Sequence, residues 1–354
     1  MSGTQRGTVM FAWRRTPPPF LIGGAEVSQQ LLAREFIAAG WTVVYLGSHE
    51  TPWNQTCEMA AMRRHLDTMN ITYDHRREPA ELRYRWNGID CRSVPQTRLA
   101  ETLRVTLAEL TPNLVITSQE GSGELAASAR YRAPVAGWLH SVSKNGLDVL
   151  AGRPRYALAT SRFVLSRTPA TQAAVLFYPP FTPVSVSPLL NPPGGDVLMV
   201  NPVPAKGSAM LHELVQRLPD RRFTLVEGWW DTAAEFADYA NVTYVGRTYD
   251  MDPLIAAHRL LLVPSIVEDA FPRVIIEAGL AGLPTIGSTR GGIPEAISGG
   301  GLLVPPDDAA AWATAIRSLH GATLTTLGRR ARSRAEPLTR ACLPELAAAG
   351  VIPG

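Results

Sequence analysis

Short apolar runs alternate with helix-like segments along almost the whole chain, and this alternation restricts the fold more than any other feature. In the first half the candidate strands are Val9–Trp13, Thr42–Leu46, Leu114–Thr117, Val135–Leu139 and Ala157–Thr160. Between them, Glu26 to Ala39 and Thr102 to Leu110 place apolar residues at helical spacing. Strands resume at Val197–Val200, Phe223–Val226, Val242–Val245, Leu260–Val263 and Thr285–Gly287, and a last helix is expected from Leu338 to Ala349. Strands that alternate with helices pair in parallel, because the helix supplies the crossover. The exception is Ile71 to Val94, where extended residues and an Asn87-Gly88 turn predict a hairpin.

At 354 residues the chain exceeds one typical core. The proline-rich stretch from Tyr178 to Gly195 reads as a linker between two domains. The expectation is an α/β fold of two Rossmann-like, doubly wound domains facing a central cleft, with ligands beyond the carboxyl ends of the strands. The boundaries are placed at 1–182, 183–335 and a terminal helical segment, 336–354. With 45% hydrophobic and 18% charged residues the composition is that of a globular protein. No apolar run has the length of a membrane span and no signal-peptide core follows Met1. Cys57, Cys91 and Cys342 are far apart and odd in number, as expected of reduced thiols filling space in a cytoplasmic protein. Residues 1–182 carry 20 Lys+Arg against 14 Asp+Glu, and the remainder 14 against 17. The basic first half is consistent with solvated surface, and it leaves an anionic acceptor or peripheral contact with an anionic membrane open. No nucleic-acid partner is expected. Lys144 and Lys206 are the only lysines, so a lysine at a motif position stands out.

The most informative segment runs from Pro264 to Glu295. The apolar run ending at Val263 delivers Pro264-Ser265-Ile266-Val267-Glu268-Asp269-Ala270-Phe271-Pro272-Arg273, a loop with two carboxylates, and the following helix carries Glu277. After Gly282-Leu283-Pro284 comes a second apolar run, then Gly291-Gly292-Ile293-Pro294-Glu295. Carboxylates accept hydrogen bonds from sugar hydroxyls, and a paired-glycine turn presents backbone N–H groups to an anion. Together they describe a pocket for a ligand with both hydroxyls and phosphate, such as a nucleotide sugar.

The order and spacing of these residues resemble the donor-binding signature of family 4 glycosyltransferases, retaining enzymes with the two-domain GT-B fold. That signature reads Pro-Ser, Glu-x-Phe-Gly-x-x-x-x-Glu-Ala, Gly-x-Pro, Gly-Gly-x-Pro-Glu. Phe271, Glu277 and Ala278 match, while Asp269 stands at the first acidic position beside Glu268 and Pro272 replaces a glycine. The resemblance implies that Glu277 accepts from the ribose hydroxyls and Asp269 from the transferred sugar, with Glu268 the neighbouring alternative. It implies that Lys206-Gly207, after the first strand of the second domain, binds the donor diphosphate. The arginine expected upstream is absent and the loop offers Asn201 instead, so Arg247, Arg273 or Arg290 is left to complete the site, with Arg273 preferred because it lies inside the acid motif. Gly291 and Gly292 hold phosphate at the start of a helix. Ala270 and Phe271 complete the donor loop.

In the first domain the resemblance places Gly23 and Gly24 beside the donor phosphates and His140, after Val135–Leu139, beside the reacting sugar. The run Gln119-Glu120-Gly121-Ser122-Gly123 is a further cleft candidate, whereas Trp53, Trp86 and Trp138 read as core residues. The final helix is expected to return to the first domain.

The implied activity is that of a hexosyltransferase-type retaining glycosyltransferase, using a UDP-sugar in preference to a GDP-sugar, with the acceptor unidentified. Catalysis would rest on His140, Lys206, Arg273 and Asp269, by a front-face route without a protein nucleophile. No Asp-x-Asp motif is present, so neither a metal nor a cofactor is expected. The alternatives are a catalytically silent relative that binds a nucleotide sugar and, further off, a nucleotide-sugar epimerase.

Overall fold

A computed structural model describes residues 6–20, 23–50, 59–77, 80–184, 196–248 and 250–353. Trp53, Cys57 and the linker from residue 185 to 195 lie outside the described residues. The chain divides into two compact units: residues 1–21, 25–180 and 341–354 form the first, and 22–24 with 181–340 the second.

The first unit is built on strands β1 (Thr8–Ala12), β2 (Thr42–Ser48), β3 (Tyr73–Arg76), β4 (Glu81–Trp86), β5 (Ile89–Val94), β6 (Leu114–Thr117), β7 (Val135–Leu139), β8 (Tyr156–Ala159) and β9 (Ala174–Leu176). They form one sheet in the order β3-β4-β5-β2-β1-β6-β7-β8-β9. All neighbours run parallel except β3 with β4 and β4 with β5. Central strands of such a sheet are covered on both faces and read as continuous apolar runs. β1 shows this: Val9 and Phe11 join one core cluster, and Met10 between them is equally buried outside it.

The expected hairpin is present as β4 and β5. Trp86 pairs with Ile89 across the turn, and Asn87 (φ 45°) and Gly88 (φ 84°) both take the left-handed conformations that a tight two-residue hairpin turn requires. β3 falls inside the segment read as extended, and β9, which was not expected, is only three residues long. Trp138 is fully buried, and Trp86 is half-buried with the Arg34 guanidinium over its ring. Cys91 and Cys342 are buried free thiols in the same core, and burial pushes the Cys91 thiol well above its ordinary value.

The second unit holds β10 (Val197–Val200), β11 (Phe223–Val226), β12 (Val242–Val245), β13 (Leu260–Val263), β14 (Thr285–Ser288) and β15 (Gly301–Val304). All are parallel, in the order β12-β11-β10-β13-β14-β15. Every strand expected here is found, and β15, whose burial is only partial, is additional. β10 lies between β11 and β13, so the chain order reverses there. A crevice at the carboxyl ends of the strands follows from that reversal.

The terminal segment differs in detail from the expected helix. A short 3-10 turn, Glu336–Thr339, precedes the helix Leu343–Ala348, which starts beside Pro344 because proline suits a first helical turn. The Glu35 carboxylate accepts the backbone N–H groups of Cys342 (2.7 Å) and Leu343 (3.3 Å), and Leu346, Val351 and Ile352 join the first unit's core.

Candidate active site

Five loops leave the carboxyl ends of β10 to β14 in the second unit, and nearly all the residues singled out there by sequence lie on them. The loop after β10 begins at Asn201 in a left-handed conformation (φ 62°) and ends in a 3-10 turn, Pro204–Lys206. Gly207 (φ 90°) then opens the helix Ser208–Arg217. A Cβ on Gly207 would run into the carbonyl oxygen of Pro264, so glycine lets the β10 and β13 loops touch. Ile266 N–H also donates to Ala205 O at 3.3 Å.

The centre of the site is an ion pair between these two loops. The Lys206 ammonium donates to Oδ1 of Asp269, with the two side chains 19% and 13% exposed. The other carboxylate oxygen, Oδ2, accepts from Ser265 Oγ at 2.6 Å. Ser265 is itself placed by Ser288 Oγ, which donates to its carbonyl at 2.7 Å. The Lys206 ammonium lies 5.4 Å from the centroid of the Trp229 ring, within cation–π range. The Asp269 carboxylate is thus held by two side chains, and Lys206 is aimed by a carboxylate and an aromatic face.

The paired glycines close on the same acid. Gly292 N–H donates to Asp269 O at 2.6 Å. A side chain on Gly291 (φ 56°) would meet the Asp269 backbone, and one on Gly292 would overlap the Ala270 carbonyl. The helix Ile293–Ile297 begins immediately afterwards with Pro294 in its first turn. Ala270 and Phe271 are buried beneath this contact, while Glu268 is exposed. Asp269, rather than Glu268, is the acid built into the loop junction.

Pro272 caps the helix Arg273–Ala281, on which Arg273 and Glu277 share a face. Arg273 Nε donates to Glu277 Oε1 at 3.1 Å, and the guanidinium stacks 4.2 Å from the Phe181 ring centroid. Glu277 is 28% exposed. Of the arginines considered for the diphosphate, Arg273 is thus engaged with Glu277 and Phe181. Arg247 binds the carbonyls of Gly228 and Trp229 and pairs with Glu227 at 3.4 Å. Arg290 is exposed at the entrance to the glycine turn.

Asn201 shapes its own neighbourhood, since its Oδ1 accepts Trp229 N–H at 3.0 Å and Gly228 makes room for it. Asn201 and Arg247 together hold the loop that carries Trp229. The sequence reading missed Trp229 and quoted Ser265 in the Pro-Ser motif without a role. The signal for Trp229 was Gly228-Trp229-Trp230 at the carboxyl end of β11.

Gly23 precedes the helix Gly24–Ala38, which belongs to the first unit from Ala25 onward, and His140 follows β7 of that unit. The His140 ring lies 4.5 Å from Trp138 and 6.1 Å from Trp13, centroid to centroid. A buried charge cluster at the carboxyl edge was also missed. Arg15, after β1, pairs with Glu26 and donates to Glu120 through Nε (3.0 Å) and a terminal nitrogen (3.2 Å). Burial alone would lower the Arg15 pKa, but the charges and hydrogen bonds of Glu26 and Glu120 outweigh it and raise it further. Glu120 lies in the 119–123 run, where Gln119 (φ 66°) and Gly121 (φ 70°) turn the chain into the helix Ser122–Ala129. Glu26 sits in the first turn of the helix that the glycine pair opens, at 3% exposure.

Residues 196–321 match the family model of group 1 glycosyl transferases. A comparison of the sequence with curated proteins finds no match. Among solved structures, the chain is similar to a sucrose-phosphate synthase from Thermosynechococcus elongatus (TM-score 0.71, 21% identity, 98% of this chain and 97% of that one). It is similar to Anabaena HepE in complex with UDP and glucose (TM-score 0.73, 17% identity, 96% and 99%). A third is the pneumococcal O-GlcNAc transferase GtfA in complex with UDP and GlcNAc (TM-score 0.67, 12% identity, 94% and 96%). At these identities the structures establish the fold, which is GT-B. The family match covers residues 196–321, which hold all six strands of the second unit, and the fold extends over nearly the whole chain.

Proposed function

We propose that this protein is a retaining glycosyltransferase that moves a hexose from a UDP-sugar to an acceptor hydroxyl. The observation that carries the reading is the Lys206–Asp269 pair, held by Ser265 and by the Gly291-Gly292 turn where the strand order reverses. It puts a cation, a fixed carboxylate and glycine-exposed backbone within one loop cluster, which suits a ligand with both phosphate and hydroxyls. The UDP complexes of HepE and GtfA, proteins of the same fold, support a uridine nucleotide as donor.

In this proposal Glu277 accepts from the ribose hydroxyls and Asp269 from hydroxyls of the transferred sugar. The bond between the anomeric carbon and the donor phosphate oxygen breaks while the acceptor oxygen attacks from the same face. The acceptor proton passes to a phosphate oxygen of the departing diphosphate. Lys206, the backbone N–H of Gly291 and the exposed Arg290 meet the charge that develops there, with no metal required.

Lys206→Ala tests the assignment. Loss of a donor aimed at developing charge lowers kcat by about a hundredfold to a thousandfold, with a much smaller change in UDP affinity. An unchanged kcat removes Lys206 from the chemistry. The competing reading, a silent nucleotide-sugar-binding relative, draws on Asn201, which stands where an arginine is expected and is occupied in shaping its own loop. A UDP-release assay separates the two: slow donor hydrolysis supports the enzyme, and tight UDP-sugar binding without any release supports the silent relative.

A further inference from the structure

At the opposite end of the first unit's sheet from His140, four arginines converge on one open cavity of about 620 Å³: Arg130, Arg132, Arg153 and Arg155. They meet because β7 and β8 are parallel neighbours, with Ala136 beside Tyr156 in register. The segments entering the two strands, Arg130-Tyr131-Arg132 and Arg153-Pro154-Arg155, therefore lie side by side at the amino-terminal edge. β7 has five residues, which at roughly 3.3 Å per residue sets this edge about 16 Å from the strand's other end.

All four arginines are exposed, and none lies within ion-pair distance of a carboxylate among the described residues. Arg14, Arg15, Arg83 and Arg92 of the same unit are each paired with a glutamate. The surrounding sequence is unbalanced in the same sense: residues 125–195 hold six arginines and one lysine against a single acid, Asp148. That acid is engaged elsewhere: its carboxylate accepts the backbone N–H of Gly123 at 2.9 Å. Tyr131 stands in the middle of the cluster at 76% exposure, with the Arg130 guanidinium 4.6 Å from its ring centroid.

We propose that this edge is a docking surface for an anionic phospholipid membrane. Guanidinium groups bind phosphate through paired N–H donors, and several exposed cations add their attraction to a negatively charged leaflet. An exposed tyrosine among them matches the interfacial level of a bilayer, where an aromatic ring with a polar end is at home. A compact patch with one protruding aromatic favours a planar surface over a nucleic-acid strand, which needs a groove with successive stacking rings. The surface leaves the carboxyl edge, with His140, clear of the bilayer contact.

Vesicle co-sedimentation tests this with the whole chain and two vesicle types, phosphatidylcholine alone and phosphatidylcholine with phosphatidylglycerol in equal parts. The protein should sediment with the anionic vesicles only, and binding should fall as sodium chloride is raised. Arg132→Glu/Arg155→Glu should weaken that binding by about tenfold or more, given the contribution of each basic residue near a charged surface. Arg153→Gln, a milder change, should weaken it by a few-fold, and the UDP response of both variants should match the wild type. Binding to neither vesicle type, equal binding to both, or undiminished binding by the double variant overturns the proposal. So does tight binding of inorganic pyrophosphate without vesicle binding, which would make the cavity a small-anion site.

Discussion

Asp269 is one methylene group shorter than the glutamate its motif leads one to expect, and the structure shows how that acid is placed. Its carboxylate is fixed from both sides by Lys206 and Ser265, while Glu268 is exposed. If Asp269 holds the donor sugar, Asp269→Asn should lower transfer strongly and leave UDP binding within about threefold of wild type, because UDP lacks the sugar. The basis is that a charged acceptor contributes about 1.5–3 kcal/mol to a hydrogen bond, more than a neutral amide. Glu268→Gln should change transfer by no more than about twofold, as expected of an exposed surface substitution. Kinetics with isothermal titration check both. The reverse ranking would assign the sugar to Glu268. At this scale the motif residues were legible because their spacing survives in the sequence. Ser265 stood inside the motif without an assigned role, and Ser288 and Trp229 were not legible, because their contacts join loops from different strands and leave no periodic trace.

At the scale of elements, the Arg15–Glu26–Glu120 cluster fastens three pieces of the first unit together: the loop after β1, the first turn of the helix Gly24–Ala38, and the loop after β6. Arg15→Ala would leave the buried Glu26 carboxylate and the partly buried Glu120 carboxylate without their counter-charge, a loss of about 3–5 kcal/mol. Urea denaturation followed by circular dichroism should show it as a lower midpoint for the first unit. A loss below about 1 kcal/mol would mean that water reaches the cluster and screens it, as at an exposed ion pair. Strands were the easiest elements to read, since β1, β6, β7 and most of β10 to β14 are buried apolar runs bounded by turns. β9 was hidden because it is only three residues long, and β15 because it follows two glycines and is only partly buried. The charge cluster escaped because Arg15 and Glu120 lie 105 residues apart and only the strand order β1-β6 joins them.

Across the whole molecule, the division into two units is not a division into two halves of the sequence, because residues 341–354 cluster with the first unit. Deleting 341–354 removes the buried side chains of Leu346, Val351 and Ile352 and the two backbone bonds to Glu35. At about 1.5–3 kcal/mol per buried aliphatic side chain, the first unit should lose at least about 4 kcal/mol. Calorimetry should show an early transition that UDP does not move, beside a later one for the second unit. A single unshifted transition would contradict the grouping. The return of the chain end was expected from the family resemblance; the break at residues 340–342 was not, and the Glu35 carboxylate accounts for it by capping the new start.

The central claim is that the loops around Lys206, Asp269 and Glu277 bind a nucleotide sugar through the second unit. Thermal unfolding with and without UDP and UDP-glucose tests it most directly, because a ligand at about a hundred times its Kd stabilises the folded state by about 2.7 kcal/mol. The account predicts that both ligands raise Tm in the wild type, that Glu277→Ala removes most of the shift, and that Asp269→Asn removes only the part by which UDP-glucose exceeds UDP. No shift with any uridine nucleotide, or a full shift in Glu277→Ala, would contradict it.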